Sequence, residues 1–268
     1  MSAQYTTNEL LAAAVAREIA DGDLVFIGVG TTDRAFTLAC GVGVVATGLA
    51  QSAHAPDASI YWGNLLSPDL SRMPQSWLQD TFTRWPAASQ LTETAQKNDM
   101  LAFGRFDVSF ESAAQVDRYG NLNITRLNHP DGSIKTRLIG CLAQTEHLAF
   151  VRKPIIMVDL KQRTFVEEVD YVTSLGHQRH GVPRQSYGLS GPGPQLCITD
   201  KAIFDFKGEG GGMRIRSLHP GVKLDEVLEL MGFAPEIPAT LAETTPPTAA
   251  EVKLIRTKID PNRTLLRV

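Results

Sequence analysis

An apolar run of four, Leu24-Val25-Phe26-Ile27, breaks at once into Gly28-Val29-Gly30-Thr31-Thr32 and then into a long Ala- and Val-rich stretch. Apolar strand, glycine turn and helix in that order commit a chain to an α/β layer architecture, in which helices cover the sheet whose strands they connect. The neighbouring signals agree. Asn8 is placed to cap a helix carrying Leu10, Leu11, Val15 and Ile19, and Asp21-Gly22-Asp23 stops it. A second apolar strand is expected over 58–62.

Regular patterning lapses over 68–98, which holds three prolines and two of the three tryptophans. That composition suits a long excursion over a surface or into a partner. Strand patterns resume at 108–116, 122–125, 148–151, 155–159 and 165–169, separated by turn chemistry. The stretch 173–194 is a Gly/Pro/Ser/His/Arg loop of a length that is either functional or mobile. Short strands over 196–199 and 213–218 bracket a further glycine-rich turn, and a helix is expected over 223–231. A Pro-studded linker follows at 235–247, and Thr248 with Glu251 forms a capping box for a last helix over 248–258. With no internal repeat or low-complexity tract, 1–268 reads as one domain.

Composition removes several function classes. At 268 residues, 43% of them hydrophobic, the chain has ample material for a core. Its longest nearly apolar stretch, 36–50, is about fifteen residues and carries three glycines, short of the roughly twenty that span a bilayer. Residues 1–8 lack a basic region followed by an apolar core, so a cytoplasmic location is expected. Twenty-six basic against twenty-nine acidic residues leave a formal charge of −3 with no dense Lys/Arg block, which argues against nucleic acid as a partner. Cys40, Cys141 and Cys197 are odd in number and far apart, the pattern of reduced core thiols.

Few motifs have the spacing that chemistry requires. Gly28 and Gly30 sit where backbone N–H groups between a strand and a helix could cradle an anion. However, position 33 is Asp33 where a dinucleotide fingerprint needs glycine, and no Gly-Lys-Ser/Thr follows. His177 and His180 are the only closely paired histidines, and with no HExxH or CxxC they read as a solvated loop, so no metal is expected. His219 reads as a turn or cap histidine. Ser190 is followed by Gly191-Pro192, which is not a nucleophile elbow. The richest segment is Gln115-Val116-Asp117-Arg118-Tyr119-Gly120-Asn121-Leu122-Asn123. A strand delivers Gln115 and Asp117 to one face, and a Tyr-Gly-Asn turn returns Asn121 and Asn123 to share a face as well. Spacing alone also fits a plain hairpin whose Asp117 and Asn121 satisfy turn amides. Trp62, Trp77 and Trp85 could shape an acyl pocket or simply pack in a core.

That nine-residue segment resembles the Gln-Val-Asp-x-x-Gly-Asn-x-Asn stretch of the glutaconate type of family I coenzyme A transferases, in their β subunit. The likeness continues through Phe165-Val166-Glu167-Glu168-Val169-Asp170, Ser174-Leu175-Gly176-His177, Thr199-Asp200, Phe204-Asp205-Phe206, Met213-Arg214, Ser217-Leu218-His219-Pro220-Gly221-Val222 and Ile259-Asp260-Pro261. It covers nearly the whole chain in the correct order. The resemblance implies an open, mostly parallel α/β sheet with helices, an acyl-CoA substrate, no cofactor beyond the coenzyme A of that substrate, and an active site shared with an α subunit in an α2β2 assembly.

In these transferases a β-subunit glutamate attacks the thioester after a short strand. Here Ala55-Pro56-Asp57 leads into that strand, and Trp62-Gly63-Asn64-Leu65 follows without a carboxylate. Glu111 stands where the family has an apolar residue and reads as an exposed strand-edge glutamate, with a replacement carboxylate as the alternative. Ring-cleaving CoA-ester hydrolases of the same fold lack the nucleophile and place their working glutamate on the α subunit, and related decarboxylases carry a cysteine instead. The stretch 100–123, with Phe103-Gly104-Arg105, resembles the β subunit of those hydrolases. The resemblance therefore implies a hydrolase-type role, with a transferase using a displaced carboxylate, a decarboxylase or a non-catalytic subunit as alternatives. It assigns transition-state hydrogen bonding to Gln115 and Asn121, orientation to Asp117, and substrate contacts to Gly28, Gly30, Trp62, Gly63, Asn64, Arg105 and Asn123.

Overall fold

The computed structural model describes residues 5–28, 33–73, 85–91 and 94–267. Contacts divide the chain into two compact units, Met1–Phe110 with Thr245–Val268, and Glu111–Thr244, where the sequence alone reads as one domain.

In the first unit, strands Leu24–Ile27, Ser59–Trp62 and Val108–Glu111 run parallel, with Leu24 level with Ser59 and Val25 level with Val108. Leu65–Pro68 and Ala87–Gln90 then extend the edge antiparallel. The first helix is Thr7–Ala16, and its cap is Thr6 rather than Asn8. Glu9 accepts the Thr6 N–H at 2.7 Å while the Thr6 hydroxyl accepts the Glu9 N–H at 3.2 Å, a reciprocal pair that outcompetes a cap two residues later. Asn8 instead donates from Nδ2 to the Arg267 carbonyl at 2.6 Å. Burial opposes ionisation of Glu9, but its bonds from Arg256 and Thr6 outweigh that and hold it below the usual carboxylate range.

The glycine turn leads into one continuous helix, Asp33–Ala53, with a π turn over Thr37–Gly41. It is longer than the fifteen apolar residues seen in the sequence and would pass by length and composition as a membrane span, but most of it is buried as a core helix. Gly43 is obligatory there, because a Cβ would lie 2.5 Å from the Phe110 ring. Phe26, Tyr61 and Phe106 pack with ring centroids 5.1–5.4 Å apart, and burial pushes the Tyr61 hydroxyl up to about 12.

In the second unit, Lys153–Met157 runs parallel to Leu196–Ile198, which pairs antiparallel with Ala202–Asp205 and that with Arg214–Leu218. Ala242–Glu243 closes this run in parallel, inside the stretch read as linker. The α/β class is as expected, with parallel and antiparallel pairs combined in each unit. Two strand expectations are corrected. Residues 148–151 end the helix Gln144–Phe150, and 165–169 contribute a single bridge, Phe165 beside Val116. Phe165 is instead a core residue, packed on Phe204 and Phe233. The expected strand 108–116 is two strands, Val108–Glu111 and Gln115–Val116, and the helix expected over 223–231 is Leu224–Leu228. The Thr248 capping box is present and starts Ala249–Leu254.

The loop 173–194 is tied down by Arg184, only 1% exposed. Its Nε donates to the Gly191 carbonyl (2.9 Å), Nη1 to Leu175 (3.0 Å) and Gly176 (2.6 Å), and Nη2 to Leu148 (2.6 Å). Burial draws its pKa below the ordinary arginine value. Cys40 and Cys197 are core thiols as expected, and burial pushes Cys40 up to about 12 and Cys197 higher still. Cys141 is exposed, contrary to the core expectation, because it lies on a surface segment ahead of a helix.

Candidate active site

The hairpin Gln115–Val116 / Leu122–Asn123 gathers its four polar side chains as expected, and all four are buried. Asp117 Oδ1 accepts the N–H groups of Tyr119 (3.0 Å) and Asn121 (3.1 Å), and Oδ2 accepts Asn121 Nδ2 (2.8 Å). Asn121 Nδ2 also donates to the Gln178 carbonyl at 2.9 Å, and Asn121 Oδ1 accepts the Gly176 N–H at 2.8 Å. Asn123 Nδ2 donates to Gln115 Oε1 and to the Arg126 carbonyl, both at 2.7 Å, and Gln115 Oε1 accepts the Asp170 N–H at 3.0 Å. The hairpin thus clamps residues 170–178 against itself. Gly176 approaches so closely that a Cβ would lie 2.1 Å from the Tyr119 carbonyl oxygen.

This geometry corrects one expectation. Both amide hydrogens of Asn121 are committed inside the clamp, so Asn121 has no donor left for a transition state. Asn123 is committed in the same way. Asp117 orients the turn and the Asn121 amide. Burial pushes its carboxyl up to about 6, against the bonds from Asn121 and Tyr119 that favour the ionised form, and the Glu168 charge adds to the rise.

In the first unit, Trp62 is 1% exposed and packs against Phe36 (6.5 Å between centroids) and Trp85 (5.8 Å), so its ring fills a core instead of lining an open pocket. Gly63 and Asn64 make the two-residue turn between paired Trp62 and Leu65, with Gly63 at φ 61° and Asn64 exposed. Arg105 is exposed, and the Gly28 carbonyl contacts Cys40 Sγ at 3.0 Å. Gly30 and Trp77 lie outside the described residues. No carboxylate stands at the 62–65 turn. Asp57 precedes the strand on the surface. Asp69 is exposed and caps the turn Leu70–Arg72, where bonds from Ser71 hold it below the usual range.

Glu111 departs from its expectation. It is 3% exposed, and His147, 6% exposed, faces it with Nδ1 at 3.0 Å from Oε1 and 3.3 Å from Oε2. The histidine comes from the helix Gln144–Phe150, whose Gln144 donates to the Ser112 carbonyl at 2.7 Å. A buried carboxyl–imidazole pair of this kind can hold or pass a proton. Sequence reasoning missed it because the partners are 36 positions apart. It also missed a polar cavity of about 360 Å³ lined by Arg118, Tyr119, Gln178, Glu209 and Glu236 at the hairpin tip.

His177 and His180 do not converge. His177 Nε2 meets the Pro194 carbonyl at 2.8 Å, while His180 meets Glu168 at 2.8 Å on the surface. His219 is a buried structural residue, bridging the Thr199 carbonyl (2.8 Å) and Thr244 (3.0 Å). Among the described residues no three His, Cys, Asp or Glu side chains converge as a metal site would require.

The sequence model of the coenzyme A transferase family matches residues 8–230. The chain is 32% identical to the second of the two subunits of the 3-oxoadipate CoA-transferase of Pseudomonas knackmussii, over 94% of this chain and 92% of that one. It is 28% identical to the cholesterol ring-cleaving hydrolase IpdB subunit of Mycobacterium tuberculosis, over 80% and 82%. Its fold superposes on the crystal structure of glutaconate coenzyme A-transferase from Acidaminococcus fermentans with a TM-score of 0.82 at 27% identity, covering both chains completely.

Proposed function

The chain belongs to the coenzyme A transferase family as a β-type subunit, and from that premise we propose that it works with an α-type subunit as an acyl-CoA hydrolase of the C–C bond-cleaving type, the catalytic carboxylate being the partner's. The observation that carries this reading is the turn after Ser59–Trp62. Glycine and asparagine occupy it, tryptophan is buried before it, and none of these can form an acyl anhydride with a thioester.

What this subunit supplies is polarisation and substrate contact. The Gln115 amide nitrogen is the one side-chain donor of the four hairpin residues that the clamp does not use, and it is the candidate for hydrogen bonding to developing negative charge. Asp117, Asn121 and Asn123 hold that hairpin and the 170–178 segment in place. Backbone N–H groups near Gly28 and Gly63, and the side chains of Asn64 and Arg105, are the candidate contacts for the acyl-CoA. The likeness to the ring-cleaving hydrolase subunit supports the reaction class, and the relatives' standing as one half of two-subunit enzymes supports the α-type partner.

A second reading, transfer through a displaced carboxylate, is favoured by one observation, the buried Glu111 beside His147. Co-expression with the α-type chain encoded beside it, followed by assays of CoA exchange, C–C hydrolysis and decarboxylation, separates the two. Hydrolysis with no covalent CoA on this chain supports the first. Rapid CoA exchange between acids, with a borohydride-trappable CoA thioester on this chain, overturns it.

A further inference from the structure

Ile139 and Leu142 are aliphatic, yet 78% and 81% of their surface is exposed, and Cys141 between them is exposed too. Lone exposed aliphatics are ordinary, but seven of the nine large hydrophobics exposed among the described residues fall between 134 and 187, in the second unit. The segment that carries these two is fixed. The Leu138 N–H donates to the Thr125 carbonyl at 2.9 Å and the Gly140 N–H to Ile124 at 2.8 Å. Cys141 Sγ accepts the N–H groups of Gln144 (3.1 Å) and Thr145 (3.4 Å), and the Thr145 hydroxyl donates to the Thr173 carbonyl at 3.3 Å. The backbone therefore presents both side chains in a set direction, which lowers the ordering cost of any association. Tyr171, held under the Arg126 guanidinium at 4.8 Å, is a further exposed ring bonded to the same hairpin region through Asp170 and Asn128.

We infer that the 138–145 segment is a docking surface for the α-type subunit, with Leu142 and Ile139 as anchors. The inference rests on the β-subunit reading above. The occupant follows from two observations. The relatives are halves of enzymes named as two subunits, and Leu138 to Thr145 contains no charged residue in a chain of net charge −3. The complementary face is accordingly an apolar pocket, since charge-depleted centres with aliphatic or aromatic anchors are what buried interface cores use.

Cys141 provides the measurement. Cys40 and Cys197 are buried, so a thiol reagent titrates one group rapidly in the isolated chain. In the complex with the co-expressed α-type chain, that reaction slows by at least about tenfold. Leu142→Asp, and Ile139→Asp with it, weakens association on the order of a hundredfold while leaving the thermal transition of the isolated chain unchanged, because neither side chain contributes to the core. A complex in which Cys141 reacts as fast as in the free chain, or variants that assemble normally, overturns the inference and leaves the subunit reading standing. Variants that assemble but lose turnover also overturn it, assigning the surface to substrate. Failure of the wild-type chains to associate at all instead refutes the subunit reading itself.

Discussion

Arg184 offers the sharpest test of how the 173–194 loop is held. Arg184→Met keeps the bulk of the side chain and removes the guanidinium, which makes four bonds of 2.6–3.0 Å to carbonyls on three separate segments. None of these partners is a carboxylate, so the cation is buried on carbonyl dipoles alone. Two effects oppose each other. Each charge-assisted bond contributes about 1.5–3 kcal/mol, whereas relief of the desolvation of a buried ion returns several kcal/mol. The bonds win because the substitution also strands four carbonyls, and the expected net loss is about 3–5 kcal/mol. At roughly 2–4 °C per kcal/mol for a protein of this size, the melting temperature falls by roughly 6–20 °C. Protease should cut within 173–194 before the rest of the chain is affected. Arg184→Lys should recover only part of the loss, since one ammonium cannot reach carbonyls on three sides. A methionine variant melting within about 1 °C of the parent, with the loop still resistant, would show that the guanidinium is not what holds it.

Three other expectations are independent of that one. Asp117 holds its proton more tightly folded than unfolded, so its contribution is fully present below the ordinary carboxylate value of 3.8 and is lost as pH rises through about 6, amounting to about 3 kcal/mol. A melting-temperature difference between the parent and Asp117→Asn that is flat from pH 4 to 8 contradicts this. Gly176→Ala forces a Cβ to 2.1 Å from the Tyr119 carbonyl oxygen, all of it against backbone, and should cost at least about 3 kcal/mol in denaturant titration. Glu111→Gln in the complex should keep hydrolytic activity within about tenfold if the partner's carboxylate does the chemistry, whereas a loss beyond about a thousandfold moves the chemistry onto Glu111.

The parts of the fold legible in the sequence are those fixed by local chemistry: the strand, glycine turn and helix at 24–53, the hairpin at 115–123 and the capping box at Thr248. Errors came where two local solutions competed or where tertiary partners decided. Thr6 displaced Asn8 as a cap because its box closes on both sides. The run at 148–151 is too short for periodicity to tell a strand from the end of a helix. The polar residues of the hairpin were legible as a cluster, but their direction was not, since the groups that consume the Asn121 amide lie on the 176–178 segment. Glu111 and Arg184 were invisible as buried ions for the same reason, their partners being distant in sequence.

The first unit is discontinuous in a way that sets an order of events. Its opening helix is anchored by Arg256 on Glu9 and by the Arg267 carbonyl on Asn8, and Asp260 gathers the N–H groups of Thr264, Leu265 and Leu266 to shape that returning segment. During synthesis the ribosome must therefore deliver all of Glu111–Thr244 before the residues that complete the first unit exist. The usual N-terminal-first sequence of domain folding is reversed. Nascent chains arrested shortly after Thr244 should already protect Arg184 and its loop from protease, while the helix at Thr7–Ala16 still waits for the stretch of sequence that will hold it.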